Sequence, residues 1–171
     1  MAHTAYEIGI GPLHARDFIH TCKRLANTKV IYLGTAGIFG SFTEVTLRGV
    51  HTSIWAPCAE RMGEAKSFDH LHPAVHFDTT APMLPSTTCL CSTSISYNTK
   101  LPPHITSLFE GPFIENMELH ALADILHVHC QDTLIVMAIT NAVGHTGSTQ
   151  WQQNWRVAAE KSAEYIGKVI C

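Results

Sequence analysis

Two short runs of unbroken apolar residues limit this chain more than any other feature. Lys29-Val30-Ile31-Tyr32-Leu33 and Thr133-Leu134-Ile135-Val136-Met137-Ala138-Ile139 have strand length and lack the polar alternation of a strand with one wet face. Such runs belong to strands covered on both faces, in a sheet with helices packed against it. Small or polar residues follow each run: Gly34-Thr35-Ala36-Gly37 after the first, Thr140-Asn141 after the second. In open α/β sheets ligands bind beyond the carboxyl ends of the strands, so each of these ends is a candidate for a site.

The remaining segments agree with that class. Residues 6–10 read as a short strand, and Gly9-Ile10-Gly11-Pro12 then turns into a helix with proline in its first turn. Ala15, Phe18, Ile19, Cys22, Leu25 and Ala26 form the buried stripe of that helix, and Asn27 stops it. Residues 43–54 read as a strand or hairpin with Gly49 at a bulge, and 87–97 as a further strand. Between them, 55–85 is an irregular excursion of the kind that carries a lid or a subunit contact. A last helix begins near Gln150, capped by Ser148 or Thr149, and runs through Trp155, Ala158, Tyr165 and Val169. The expected fold is α/β: a single domain over residues 1–171, with a twisted mixed central sheet flanked by helices. At 171 residues and 46% apolar content the chain can bury a core of that size.

One carboxylate stands out against this background. In Ile114-Glu115-Asn116-Met117-Glu118-Leu119-His120-Ala121-Leu122-Ala123 a helical stripe starts at Met117 and continues through Ala121, Leu122, Ile125 and Leu126. Glu118 falls in the first turn, where the helix dipole favours the ionised carboxyl. It is thus available to accept hydrogen bonds from two neighbouring hydroxyls, such as those of a ribose. The alternative is a capping glutamate that ties down its own helix start. The glycines after the first strand let backbone N–H groups approach an anion or a sugar, and the Thr35 hydroxyl adds a donor. This turn lacks the Lys-Ser/Thr ending of a P-loop, and Gly9-x-Gly11 lacks the third glycine of a dinucleotide fingerprint.

Charge narrows the partners. A net charge of −3 suggests neither a nucleic-acid nor an anionic-membrane surface. No apolar run approaches membrane-spanning length and no signal peptide precedes residue 6, so a cytoplasmic location is expected. The cysteines at 22, 58, 89, 91, 130 and 171 form no C-x-x-C pair and are expected as buried free thiols. Cys89 and Cys91 share one face of a strand, where a bridge between them would be strained. Histidines cluster at His70, His72 and His76, with Asp69 and Asp78, and again at His127 and His129. Solvated loop histidines explain them better than zinc, and neither metal nor cofactor is expected.

Three segments, in their order and spacing, give the chain a resemblance. Gly9-Ile10-Gly11 with Ala15 resembles the G-I-G-x-x-x-A strand-turn-helix of the nucleoside phosphorylase and nucleosidase family, and Gly34-Thr35-Ala36-Gly37 is similar to its G-[ST]-A-G turn. Met117-Glu118-x-x-Ala121, followed by Ile139-Thr140-Asn141, resembles its M-E-x-x-A helix and [SVI]-[ST]-[DN] strand end. With Trp151 shortly beyond, the likeness is greatest to the futalosine hydrolase branch. The resemblance implies cleavage of an N-glycosidic bond in a purine nucleoside, by transfer to water or, alternatively, to phosphate; a third alternative is a nucleoside-binding relative without turnover. It implies that Met117 and Glu118 hold the ribose, that Gly11, Gly34, Thr35, Ala36 and Gly37 hold water or phosphate, and that Asn141 faces the base. Asn141 and Glu118 are then the catalytic pair, the substrate is a 6-oxopurine nucleoside such as futalosine or inosine, and the protein is a homodimer or higher homo-oligomer. For Asn141 the plainer alternative is a cap on the turn after its strand. Two departures accompany the likeness. The family's first strand and helix, which carry the acid that activates water in the nucleosidases, are expected to be missing ahead of Gly9. Tyr32 stands where hexameric phosphorylases carry a phosphate-binding arginine.

Overall fold

The structure, a computed structural model, describes residues 4–8, 14, 28–55, 74–77, 81–92, 96, 99–101, 103–129 and 132–170. Among these the strands are β1 (Lys29–Ile38), β2 (Thr46–Trp55), β3 (Val75–His76), β4 (Ser86–Cys91), β5 (Phe113–Asn116) and β6 (Asp132–Ala142). The helices are α1 (Pro103–Leu108), α2 (Leu119–His129) and α3 (Gly147–Val169).

β6 is the central strand, as its apolar run predicts. Ile135, Met137 and Ile139 point to one side, into a cluster with Tyr32, Val50, Cys89, Cys91, Ile114 and the α2 residues Leu119, Leu122, Ala123 and Leu126. Leu134 and Val136 point the other way and pack with Tyr165 of α3, while Ala138 packs with Ala158. Both faces of β6 are therefore covered, and each fully buried Leu, Ile or Met contributes about 1.5–3 kcal/mol. β1 lies parallel to β6 from Lys29↔Asp132 to Ile38↔Ala142. It meets the same expectation only in part, since Leu33 is 44% exposed.

The sheet departs from an open, twisted one. The first half of β2 pairs antiparallel with β6, from Thr46↔Ile139 to Gly49↔Val136. β2 also runs parallel to β4, β4 parallel to β5, and β5 antiparallel to β1 at Gly37↔Glu115 and Ile38↔Ile114. The order β2-β4-β5-β1-β6 thus returns to β2 and closes a five-stranded barrel, with β3 added along β2. Closure needs strands that bend, and β2 supplies a register shift between Val50 and Thr52, beside rather than at Gly49. Gly49 itself gives room to Ala81, which a Cβ would meet at 2.8 Å.

Other boundaries move for physical reasons. Residues 34–37 are not a turn. β1 continues through them to Ile38 because β6 pairs with it throughout, with one bulge between Ala36 and Gly37. Residues 4–8 carry no strand, and the helix expected from Pro12 to Asn27 lies outside the described residues, apart from a helical backbone at His14. Gly9, Gly11 and Ala15 lie outside them too, as do Asp69, His70, His72 and Asp78. β4 ends at Cys91, short of residue 97. α3 begins three residues before Gln150, on Thr146 with no side-chain cap, so Ser148 and Thr149 lie inside the helix. No described helix is long and apolar enough to cross a membrane.

Candidate active site

The site is built outward from Asn116, which the sequence reading left just ahead of its helical stripe and gave no role. Residues 113–116 form β5 because long-range neighbours on both sides, β4 and β1, hold them extended. α2 then starts at Leu119, so Glu118 stands just ahead of the helix rather than within it. The cap is Asn116: its Oδ1 accepts the N–H groups of Glu118 at 2.9 Å and Leu119 at 2.7 Å. Asparagine is among the best residues for that task. Its Nδ2 donates to the Thr35 carbonyl at 3.0 Å and to Glu118 Oε2 at 2.7 Å. Asn116 is 5% exposed and so makes the four hydrogen bonds an amide side chain can offer. Capping of the helix by Glu118 itself gives way to this arrangement.

Three of the positions expected at the site meet at this point. The Thr35 carbonyl is bound to Asn116, and the Thr35 hydroxyl accepts the indole N–H of Trp151 at 3.1 Å. Glu118 is partly buried and held on the other N–H of Asn116, with the half-buried Met117 between them in sequence. Beneath lies Tyr32, buried, its hydroxyl beside the Asn116 side chain. Burial first, then the charge of Glu118, holds that phenol well above its usual range, so it stays neutral. Gly34 makes room for this packing: a Cβ there would meet Met137 Sδ at 2.8 Å and the Tyr32 ring at 3.1 Å.

Asn141 sits at the end of β6, between two glycines. A Cβ on Gly37 would come within 2.7 Å of its Nδ2, and one on Gly147 within 3.1 Å. Its Nδ2 donates to the Ala142 carbonyl at 2.9 Å and its Oδ1 accepts from Thr140 Oγ1 at 2.9 Å. The strand end is also tied to α3, by Gln150 Oε1 accepting the Ala142 N–H and Asn154 Nδ2 donating to the Thr140 carbonyl, both at 2.9 Å. The carboxyl ends of β1 and β6 are thus joined to the start of α2 and the first turns of α3. Ala36 is buried in the central cluster, and its carbonyl lies 3.4 Å from Thr140 Oγ1.

A second polar group lies behind the first. Ser53 Oγ is 3.4 Å from His120 Nδ1 and 3.5 Å from Cys91 Sγ, and Cys91 Sγ is 3.7 Å from Cys89 Sγ. Both cysteines are free thiols, as expected, and burial foremost raises the Cys89 thiol well above its usual range. On the other face of β5, Glu115 accepts hydrogen bonds from Ser92, from the Ser96 backbone and from the Ser96 hydroxyl. Sequence reasoning missed Asn116, Glu115 and the Ser53–His120 pair. Only Asn116 left a signal: a strong N-cap residue two positions ahead of Glu118.

The described residues contain no group of three or more His, Cys, Asp or Glu that could hold a metal ion.

No protein-family model and no curated protein sequence matches this chain. Solved structures do. A mutant of the Helicobacter pylori methylthioadenosine nucleosidase (MTAN), with 5′-methylthioadenosine in its active site, superposes with a TM-score of 0.74 at 11% identity, over 95% of this chain and 77% of that one. A futalosine hydrolase mutant of Helicobacter pylori gives a TM-score of 0.69 at 11% identity, with the same two coverages. The Chlamydia trachomatis nucleosidase gives 0.64 at 14% identity, over 85% of this chain and 66% of its own. The chain therefore spans about two thirds to three quarters of these proteins' lengths. Its fold is that of the nucleoside phosphorylase and nucleosidase family, shared with the methylthioadenosine nucleosidases and futalosine hydrolase.

Proposed function

We propose that this chain is a purine nucleosidase-like hydrolase that cleaves the N-glycosidic bond of a 6-oxopurine nucleoside such as futalosine or inosine. It works without a cofactor, in the cytoplasm, as a homodimer or higher homo-oligomer. The observation that carries the reading is the meeting of Glu118 and Thr35 at Asn116, on a β1 whose carboxyl end pairs with that of β6, in a fold shared with nucleosidases. Cleavage passes through an oxocarbenium-like state, which needs a fixed ribose, a nearby acceptor and a group that meets charge developing on the leaving base. Glu118, with Met117, holds the ribose hydroxyls. Gly34, Thr35, Ala36 and Gly37 serve the acceptor side, and Gly11, outside the described residues, is assigned to it by the sequence resemblance alone. The Trp151 N–H takes up acceptor capacity of the Thr35 hydroxyl, whose own proton turns toward the ligand.

Asn141 faces the base. With one N–H on Ala142 and its oxygen on Thr140, its second N–H is the group it offers. A donor there suits a purine that presents acceptors at N7 and O6, and disfavours a 6-amino group by about tenfold to a hundredfold. The test compares futalosine and inosine with adenosine and methylthioadenosine, on the natural chain and on Asn141→Asp. A natural chain that prefers the 6-amino nucleosides, with no shift in Asn141→Asp, removes Asn141 from the base site.

One observation favours the alternative acceptor, phosphate. Arg48 pairs across from Met137, whose sulfur lies over Gly34, and its Nε is buried with no partner among the described residues. A phosphate would satisfy that group. Tyr32, buried and neutral, favours water instead.

A further inference from the structure

We propose that Asn116 is a positioning residue that fixes the Glu118 carboxylate for its ligand and couples it to Thr35. The proposal rests on the reading of Glu118 as the ribose-holding group. A glutamate at a helix start has several free torsions, and a pair of hydroxyls is held well only by a carboxylate kept in one orientation. Asn116 provides the constraint from a rigid base. It is nearly fully buried, its oxygen is fixed by two backbone N–H groups of the α2 start, and one N–H is fixed by the β1 backbone at Thr35. Its remaining N–H, at 2.7 Å, sets where Glu118 Oε2 lies. Thr35 is also the residue whose hydroxyl is bonded to Trp151. One amide therefore registers the ribose-holding and acceptor-holding sides against each other.

The plainer role is capping of α2, and two substitutions separate the roles. Asn116→Asp keeps a side-chain oxygen for the Glu118 and Leu119 N–H groups, and aspartate caps about as well as asparagine. It replaces both N–H donors by an acceptor, so Glu118 loses its tether and gains a repelling neighbour. Asn116→Ser keeps a capping hydroxyl and adds no charge.

The experiment measures kcat/KM for hypoxanthine release from inosine and from 2′,3′-dideoxyinosine, which lacks the hydroxyls Glu118 would hold. Asn116→Asp and Asn116→Ser should lose about tenfold to a hundredfold on inosine and little on the dideoxy compound. Asn116→Asp combined with Glu118→Gln should be little worse than Glu118→Gln alone, because the two residues act as one unit. The loss in Asn116→Asp should also shrink as the pH is lowered through the carboxyl range, where a protonated side chain donates again. A merely structural role moves both nucleosides alike and adds to Glu118→Gln; either result overturns the proposal. If the natural chain releases no hypoxanthine, or treats the two nucleosides equally, the ribose reading fails and this inference falls with it. If it discriminates and Asn116→Asp and Asn116→Ser discriminate equally well, only the positioning role fails.

Discussion

Gly37→Ala is the substitution whose consequence the geometry fixes most closely. The added methyl would lie 2.7 Å from Asn141 Nδ2 and 3.1 Å from Val143 Cγ2, where ordinary contact begins at 3.4 Å. Asn141 must therefore give by roughly 0.7 Å. It has nowhere cheap to go. Gly147 bounds it on another side, and its two ends are bonded to Ala142 and Thr140. Moving it breaks at least one of those bonds and overpacks the strand end, at a cost of about 1–3 kcal/mol. For a chain of this size that lowers Tm by about 2–10 °C. Gly34→Ala is the control. Its methyl meets Met137 Sδ at 2.8 Å and the Tyr32 ring at 3.1 Å, but the thioether tip can turn aside and the ring need give only by a few tenths of an ångström, so the loss should be smaller. Thermal melting of the two variants, with kcat/KM on inosine and adenosine, makes the comparison. Gly37→Ala should melt lower and lose discrimination between the bases. A Gly37→Ala variant as stable as Gly34→Ala, with base preference intact, refutes the account of Asn141.

Three other outcomes are expected. Glu118→Gln should lower kcat/KM on ribonucleosides by about tenfold or more with little change in Tm, because the cap belongs to Asn116; a strongly destabilised variant would return Glu118 to a structural role. Cys89 and Cys91 should resist alkylation in the folded protein and react on unfolding, as peptide mass spectrometry would show, since both are fully buried and Cys89 is held protonated. Burial raises the carboxyl of Glu115 against the lowering effect of its Ser96 and Ser92 hydrogen bonds. A raised folded value means that its contribution to stability is fully present below the unfolded carboxyl range and is lost as pH rises through the folded value. Glu115→Gln should flatten the dependence of Tm on pH in that window, and an unchanged profile would contradict the raised value.

What could be read in the residues was what the chain does locally. β6 announces itself because both of its faces are covered, so its sequence is apolar without a break. The same logic found β1 but stopped it at Gly34, because a glycine reads as a break when its pairing partner is unseen. Here the glycines are spaces for Met137 and Asn141 inside a continuing strand. Barrel closure was illegible for a related reason: it depends on β2 meeting both β6 and β4, contacts far apart in sequence. The site showed the same division. Glu118, Thr35 and Asn141 stand in recognisable local patterns. Asn116 was legible only as a strong N-cap residue; its clamp on Glu118 and Thr35 was not, because only the pairing of β5 with β1 brings it to the β1 backbone. α3 starts early because Gly147 packs where a side chain would strike Asn141 and the Ala142 carbonyl.

The measurement that bears most directly on the central claim is the identity of the sugar released when inosine or futalosine is cleaved, with and without inorganic phosphate. The account predicts free base and free ribosyl sugar, at a rate indifferent to phosphate, because the buried position below Glu118 is the neutral phenol of Tyr32 rather than a cation. Strict dependence on phosphate with a sugar 1-phosphate as product would contradict it and make Arg48 the group to pursue.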